Sequence, residues 1–429
     1  MNRRYNSKLG YYQPAFFLLQ IDTDEELQDL DNLILENKST LYHEYVHFLQ
    51  DLTTVYGLGN IAQMVDLQKS SVHQILSNSE PEFKVPIEID LSSPTGINMG
   101  LFEVYEGDDK ADFYGIQSVD GIHEAPNDKV IGYESVPSVI IEATDLFGTK
   151  RFFNFGAVCI SESMAHLIEE SMFDDVVAQP FPYHTAKKVC EYIYPELAVD
   201  FLNIICLCDI ALNSSHPGKF YIDFIKALKV NNFLPRRYSD FYDRFEQTKF
   251  TTIDKQELSI YEVYKNYADL AKQQLLDYLL KPQYNELKVW INQIFDTATD
   301  IRIRNFSFWI LVLDAATKEE RRGRFTAFTQ SLGFPLLTNN LDECYFSHPN
   351  INTDMIVTLR TIYEVGKLMI TGQKECEMKN FCRKSLSGDI TSELCNEPWK
   401  MSGLNPTCSY GHLWEMWGLK DKTPIFDQG

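Results

Sequence analysis

The segment 39–57 constrains this chain more than any other. Read at about 100° per residue, it is a helix on which Leu41, Tyr45, Phe48, Leu52 and Val55 form one apolar stripe. Tyr42, Val46, Leu49 and Thr53 widen that stripe around the cylinder. A narrow polar strip remains, made of His43, Glu44, His47, Gln50, Asp51 and Thr54. The run holds no Lys or Arg, which an open helix face would carry. The pattern predicts a buried helix, capped at its start by Ser39 or Thr40 and ended by a left-handed Gly57. Burying two histidines and two carboxylates costs several kcal/mol unless they are partnered, so the strip requires a ligand or a cation.

Within the strip, His43-Glu44-Tyr45-Val46-His47 is an HExxH sequence. Residues four apart lie one above the other on a helix, so both imidazoles can share one metal ion. Glu44 borders the same face and can reach a water held by that ion. Catalytic zinc takes three protein ligands and keeps one position open. A third histidine in the pattern HExxHxxGxxH is absent, since Gln50 and Asp51 follow and the next histidine is His73. The best source of a third ligand is the run 155–170, which reads as a helix starting near Gly156 with Glu162, His166 and Glu169 on one stripe. Glu162, His166 and Glu169 are all candidates for that ligand, and those not used as ligands could serve as hydrogen-bond partners of the ligands. Small Ser161 and Ala165 beside the stripe let a partner helix come close. Asp51, one turn after His47, is a further candidate to orient that ring.

On these residues the chain resembles the gluzincin group of HExxH metallopeptidases. In that group a glutamate on a second helix completes the zinc site, often within Glu-x-x-Ala, and here the pattern is Glu162-Ser163-Met164-Ala165. The match is close over 39–57 and 155–170 and loose over 185–230. Glu162 follows His47 by 115 positions, a longer interval than in the simplest members, which an inserted subdomain explains. The resemblance implies a zincin-like metal-helix core with one catalytic Zn2+ on His43, His47 and Glu162. It further implies Glu44 as general base, hydrolysis of a peptide bond, and a protein or peptide substrate held as an added strand at a sheet edge. The donor for the oxyanion stays open among Tyr183, His184, His216 and His166. Two other readings stand beside this one. A different zinc amide hydrolase with deformylase-like chemistry would use Cys159 as third ligand, and a non-enzymatic interaction protein would keep the metal for stability alone.

The remaining sequence bounds these readings. An excess of 61 acidic over 39 basic residues, net −22, argues against nucleic acid or an anionic membrane as main partner. No apolar run approaches the roughly 18 residues of a membrane span. The basic start 1–8 precedes an apolar stretch, 15–21, that is too short for a signal peptide and reads as a strand. Nine cysteines without a secretion signal point to reduced thiols and a cytoplasmic location.

The fold class expected is α+β and predominantly helical. Residues 1–78 carry a strand at 14–22, the HExxH helix, a turn at 57–60 and a second helix over 61–77. A β-rich insertion spans 79–154, with strand-like runs at 113–119 and 139–143. A helical region, 155–375, carries the third-ligand helix, and 201–212 within it reads as buried, with Cys206 and Cys208 as small hydrophobes. The tail 376–429 holds Cys376, Cys382, Cys395 and Cys408, with His412 as a possible substitute. These thiols suit a second, structural metal, either zinc or an iron–sulfur cluster. They lack a Cys-x-x-Cys pair, so ordinary reduced cysteines remain the other reading. Trp399, Trp414 and Trp417 are expected to pack the tail onto the helical body.

Overall fold

The computed structural model describes residues 10–426 except 28–29, 109–112, 114, 128–129, 131–132, 134, 175, 177–179, 252–254, 280–283, 342, 346–352, 380–381, 383–393 and 406. The basic start 1–8 lies outside the described residues. The chain opens with a hairpin of β1 (Gly10–Gln13) and β2 (Leu18–Ile21), paired antiparallel with Gly10 opposite Ile21. Ala15 and Phe17 take positive φ values of 65° and 50° in the connecting turn. The single strand expected over 14–22 is therefore the second arm of this hairpin, and its first residues are the turn.

Helix α1 (Leu35–Thr53) carries the HExxH residues and passes almost directly into α2 (Val55–Ser77). Both of its ends differ from expectation. Ile34 stands at the N-cap without a side-chain bond, and Ser39 and Thr40 lie inside the helix. The helix stops at Thr54, which is extended and whose hydroxyl accepts from Gly57 N at 3.0 Å, so residues 57–60 are the first turns of α2. Gly57 is required there by proximity, because a Cβ would stand 2.4 Å from Gln50 O.

The insertion is less purely β than its texture suggests. It holds β3 (Glu82–Val85), α3 (Pro94–Glu106), and an antiparallel meander of β4 (Ile116–Ala125), β5 (Ser138–Asp145) and β6 (Lys150–Asn154). Helix α3 starts because Ser93 accepts from Gly96 N and Pro94 occupies the first turn. The meander delivers the chain to α4 (Ala157–Met172) through Gly156, where a Cβ would lie 2.4 Å from Glu106 O.

Helices then dominate. They are α5 (Pro180–Tyr183), α6 (Thr185–Ile193), α7 (Phe201–Leu212), α8 (Pro217–Val230) and α9 (Ser239–Phe245). A small hairpin of β7 (Phe250–Thr251) and β8 (Glu257–Leu258) precedes α10 (Ile260–Tyr278), α11 (Asn285–Arg304), α12 (Phe308–Leu313) and α13 (Lys318–Leu332). The chain continues through β9 (Leu336–Thr338), β10 (Cys344–Tyr345) and α14 (Thr353–Thr371) to α15 (Ser409–Met416) and β11 (Thr423–Phe426). Cys206 and Cys208 are buried in α7. Among the described residues no helix is long and apolar enough to cross a membrane.

Sheet pairing crosses the segment boundaries drawn from the sequence. Strand β9 joins β2 in parallel, giving the order β1-β2-β9-β10, and β11 joins β3 in parallel. The fold is α+β, with α1 at its centre, packed against α2, α4, α11 and the first hairpin. Phe48 of α1 meets Phe17 and Tyr12 edge to face, fixing the helix to that hairpin. At its far end, Arg302 donates to Thr53 O at 2.7 Å and forms an ion pair of 2.7 Å with Asp209; both charged side chains are fully buried.

Candidate metal centre

Helices α1 and α4 pack side by side and bring three potential ligand atoms together. His43 Nε2 lies 3.2 Å from Glu162 Oε2, His47 Nε2 lies 3.4 Å from the same oxygen, and the two Nε2 atoms are 3.3 Å apart. His43 is only 7% exposed, and His47, Glu44 and Glu162 are half-buried. The set His43, His47 and Glu162 could hold a metal ion.

The outer nitrogen of each ring is fixed by a neighbour. His43 Nδ1 donates to Glu169 Oε2 at 3.1 Å, and the other oxygen of that carboxylate accepts from Ser39 Oγ at 2.5 Å. His47 Nδ1 faces Gln50 Oε1 at 2.8 Å. Gln50 Nε2 donates to Ser161 O at 3.0 Å, so its oxygen is the atom turned to the ring and His47 Nδ1 carries the proton. In neutral rings both lone pairs then sit on Nε2 and point into the space shared with a carboxylate.

Such a space attracts positive charge. Burial alone would lower both histidine pKa values, but Glu162, with Glu169 at His43 and Glu44 at both rings, outweighs it and raises them. Burial pulls the Glu162 carboxyl up, and His47 and His43 more than reverse this, holding it well below the ordinary range. Glu169 is likewise brought down to about 2, burial being outweighed by His166, His43 and Ser39. Glu44 goes the other way: burial raises its pKa against the pull of His43 and His47, and it accepts from the backbone of Tyr12 in β1.

The other expected residues fall around this centre in defined places. Asp51 interacts with Tyr12, and the Nδ1 contact expected of it belongs to Gln50. Cys159 is buried with its thiol 3.8 Å from Asp108 O. His166, 1% exposed, has Nε2 3.2 Å from Glu170 and Nδ1 3.7 Å from Glu169; with Glu170 and His184 it forms a second group that could hold an ion. His216 serves the fold, with Nε2 2.7 Å from Pro137 O and Nδ1 accepting from Lys219 N.

Tyr183 and His184 are set over the site by Ser163 of α4. The Ser163 hydroxyl donates to Pro182 O at 3.2 Å and accepts from Ala186 N at 3.1 Å, clamping the intervening residues to the helix. The Tyr183 ring lies 5.7 Å from His43 and 5.3 Å from His166, and His184 lies 4.9 Å from His166. Glu162, then burial, Glu44 and Glu169 raise the Tyr183 pKa strongly, so its hydroxyl stays protonated beside three carboxylates.

Gln50 and Ser39 are contributors to which the sequence pattern assigns no role at the site, Ser39 being expected as a helix cap. Gln50 sits three residues after His47 on the polar strip, which is the signal that marks it. Compared with known proteins, the chain matches no family model, no curated protein and no solved structure.

Proposed function

We propose that the chain is a zinc-dependent metallopeptidase with a zincin-like pair of metal helices, α1 and α4. The reading rests on one observation: two imidazole Nε2 atoms and a carboxylate oxygen lie 3.2–3.4 Å apart while both Nδ1 atoms are committed elsewhere. Tetrahedral zinc with bonds of about 2.0–2.1 Å has ligand–ligand edges of roughly 3.3–3.4 Å, so the donor set fits without rearrangement. Bound there, zinc supplies an acidified water and polarises a carbonyl oxygen.

The chain's own residues divide the remaining work. Glu44, with its raised pKa, takes the proton of the attacking water and returns it to the leaving amine. Tyr183, protonated and beside His43, donates to the developing oxyanion. Strand β1 is an edge of its sheet among the described residues, and its Tyr12 backbone touches Glu44. An extended peptide added along that edge brings its backbone to the general base. Cys159 is turned to Asp108 O, which favours Glu162 over a thiolate as third ligand. The substrate class is a protein or peptide, and the excess of acid, net −22, suits a basic one.

Glu44→Gln tests the reading. The variant is expected to keep its zinc and to produce none of the new chain ends that the parent makes in a mixture of proteins, read by mass spectrometry of N-termini. Cleavage that persists in Glu44→Gln rules out the proposed base.

A further inference from the structure

We infer that the C-terminal tail is built around a second metal ion, a single zinc-class cation held by the thiolates of Cys376, Cys382, Cys395 and Cys408. The chain has nine cysteines in 429 residues, yet these four line one small cavity together with Met401 and Tyr410. They come from separate places. Cys376 and Cys382 follow α14, Cys395 sits in a short turn, and Cys408 is the N-cap of α15. Cys376 N donates to Cys395 O at 3.1 Å, which ties two of these strands of chain together.

Backbone amides are aimed at two of the four sulfurs, while burial pushes the thiol pKa values of Cys376, Cys382 and Cys408 up. Gly411 N points at Cys408 Sγ at 3.4 Å, with the Tyr410 amide as a second donor, and the Met378 amide donates to Cys376. Amide hydrogen bonds of this kind stabilise sulfur in its charged, metal-binding form. The cavity is about 20 Å³, little more than one water occupies. That space has room for one ion rather than for a cube of iron and sulfide. No disulfide joins any of the four.

An ion there would staple the tail. Between α14 and α15 the described regular structure includes two short 3-10 helices, Leu394–Asn396 and Pro398–Met401, and the chain's last strand pairs with β3 over four residues. Trp414 and Phe83 stack at that junction, and Trp399, Tyr410, Leu413 and Leu419 join the buried core, so the ion would add to contacts that already hold the tail. His412 is exposed on α15 and is not among the residues lining the cavity, so the four sulfurs complete the set without it.

Metal analysis of the full chain separates this centre from the histidine site. The double variant His43→Ala/His47→Ala is expected to retain one zinc per chain, and Cys395→Ser/Cys408→Ser is expected to contain one equivalent less than its parent. The inference is overturned if the histidine variant is metal-free, if the cysteine variant loses nothing, or if the tail carries iron with acid-labile sulfide. Should the cysteine variant fail to fold, thiol titration of the parent chain decides. Chelator at unchanged secondary structure should expose four additional thiols to an aromatic disulfide reagent. Equal reactivity with and without chelator, or an intact mass showing disulfides, overturns the centre. Because the histidine variant is read separately, an empty histidine site leaves this result interpretable.

Discussion

Gln50 holds His47 from behind: its Oε1 is 2.8 Å from the ring Nδ1, while its amide nitrogen donates to Ser161 O, one residue before Glu162. One amide thus fixes His47 on α1 relative to Glu162 on α4. Gln50→Leu keeps the helix and much of the volume but frees the ring to rotate and change tautomer. Zinc affinity is expected to fall by about 10–100-fold, measured by competition with a chelator of known affinity. An unchanged affinity would show that the interhelix contact does not orient the ligand.

Tyr183 is reached by the same logic from the opposite side. Its hydroxyl remains protonated because Glu162 and burial oppose its ionisation. Tyr183→Phe should leave zinc content intact and lower kcat on the order of 10²-fold, with KM little altered. A variant that loses metal, or one whose KM alone changes, would assign the ring to support or binding instead.

These two residues also mark how far the sequence carries. The shared face of His43, Glu44 and His47 was legible because helical periodicity is local, whereas Glu162 lies on another helix, where periodicity alone left His166 and Glu169 beside it. Gln50 was visible on the same strip, but its role needed a partner on another helix. Tyr183 had no signal beyond its proximity in sequence to α4, since a clamp through the Ser163 hydroxyl places it. The fold followed the same division. The helices α1 and α4 were legible, whereas the parallel joining of β9 to β2 spans more than 300 residues and depends on contacts no local pattern records. The end of α1 was misread because glycine suggested a left-handed cap, while the structure uses Gly57 for close approach to Gln50.

Asp145 gives a prediction in pH. Its Oδ1 accepts from Phe147 N and Thr149 N, each at 2.9 Å, and its Oδ2 accepts from Arg151 Nε at 2.9 Å, closing the β5–β6 turn. The Thr149 amide is the main cause of its lowered pKa, with Arg151 and Phe147 adding to it. A carboxylate whose folded pKa lies below the unfolded value, about 3.9, stabilises fully above that value and loses its contribution as pH falls through the folded one. Asp145→Asn should therefore unfold at lower urea than the parent at pH 7, and the gap should narrow towards pH 3. A gap that is constant or widens on acidification would contradict the assignment.

Arg302 and Asp209 anchor the far end of α1, and both side chains are fully buried. Besides the ion pair, Arg302 donates to Thr53 O at 2.7 Å and to Phe306 O at 2.7 Å, and Asp209 accepts from Tyr242 at 2.8 Å. The guanidinium lies between the Phe306 and Phe308 rings, 4.8 Å and 4.7 Å from their centroids. Removing one partner strands the other charge without water, so Asp209→Ala should cost about 3–5 kcal/mol in urea denaturation. Replacing both, as in Asp209→Leu/Arg302→Met, removes the stranded charge and should recover part of that loss. The recovery is incomplete because Thr53 O, Phe306 O and the Tyr242 hydroxyl lose partners that no apolar side chain replaces. If the double variant were no more stable than Asp209→Ala, the cost would lie in those backbone contacts at the end of α1 and not in the buried charge.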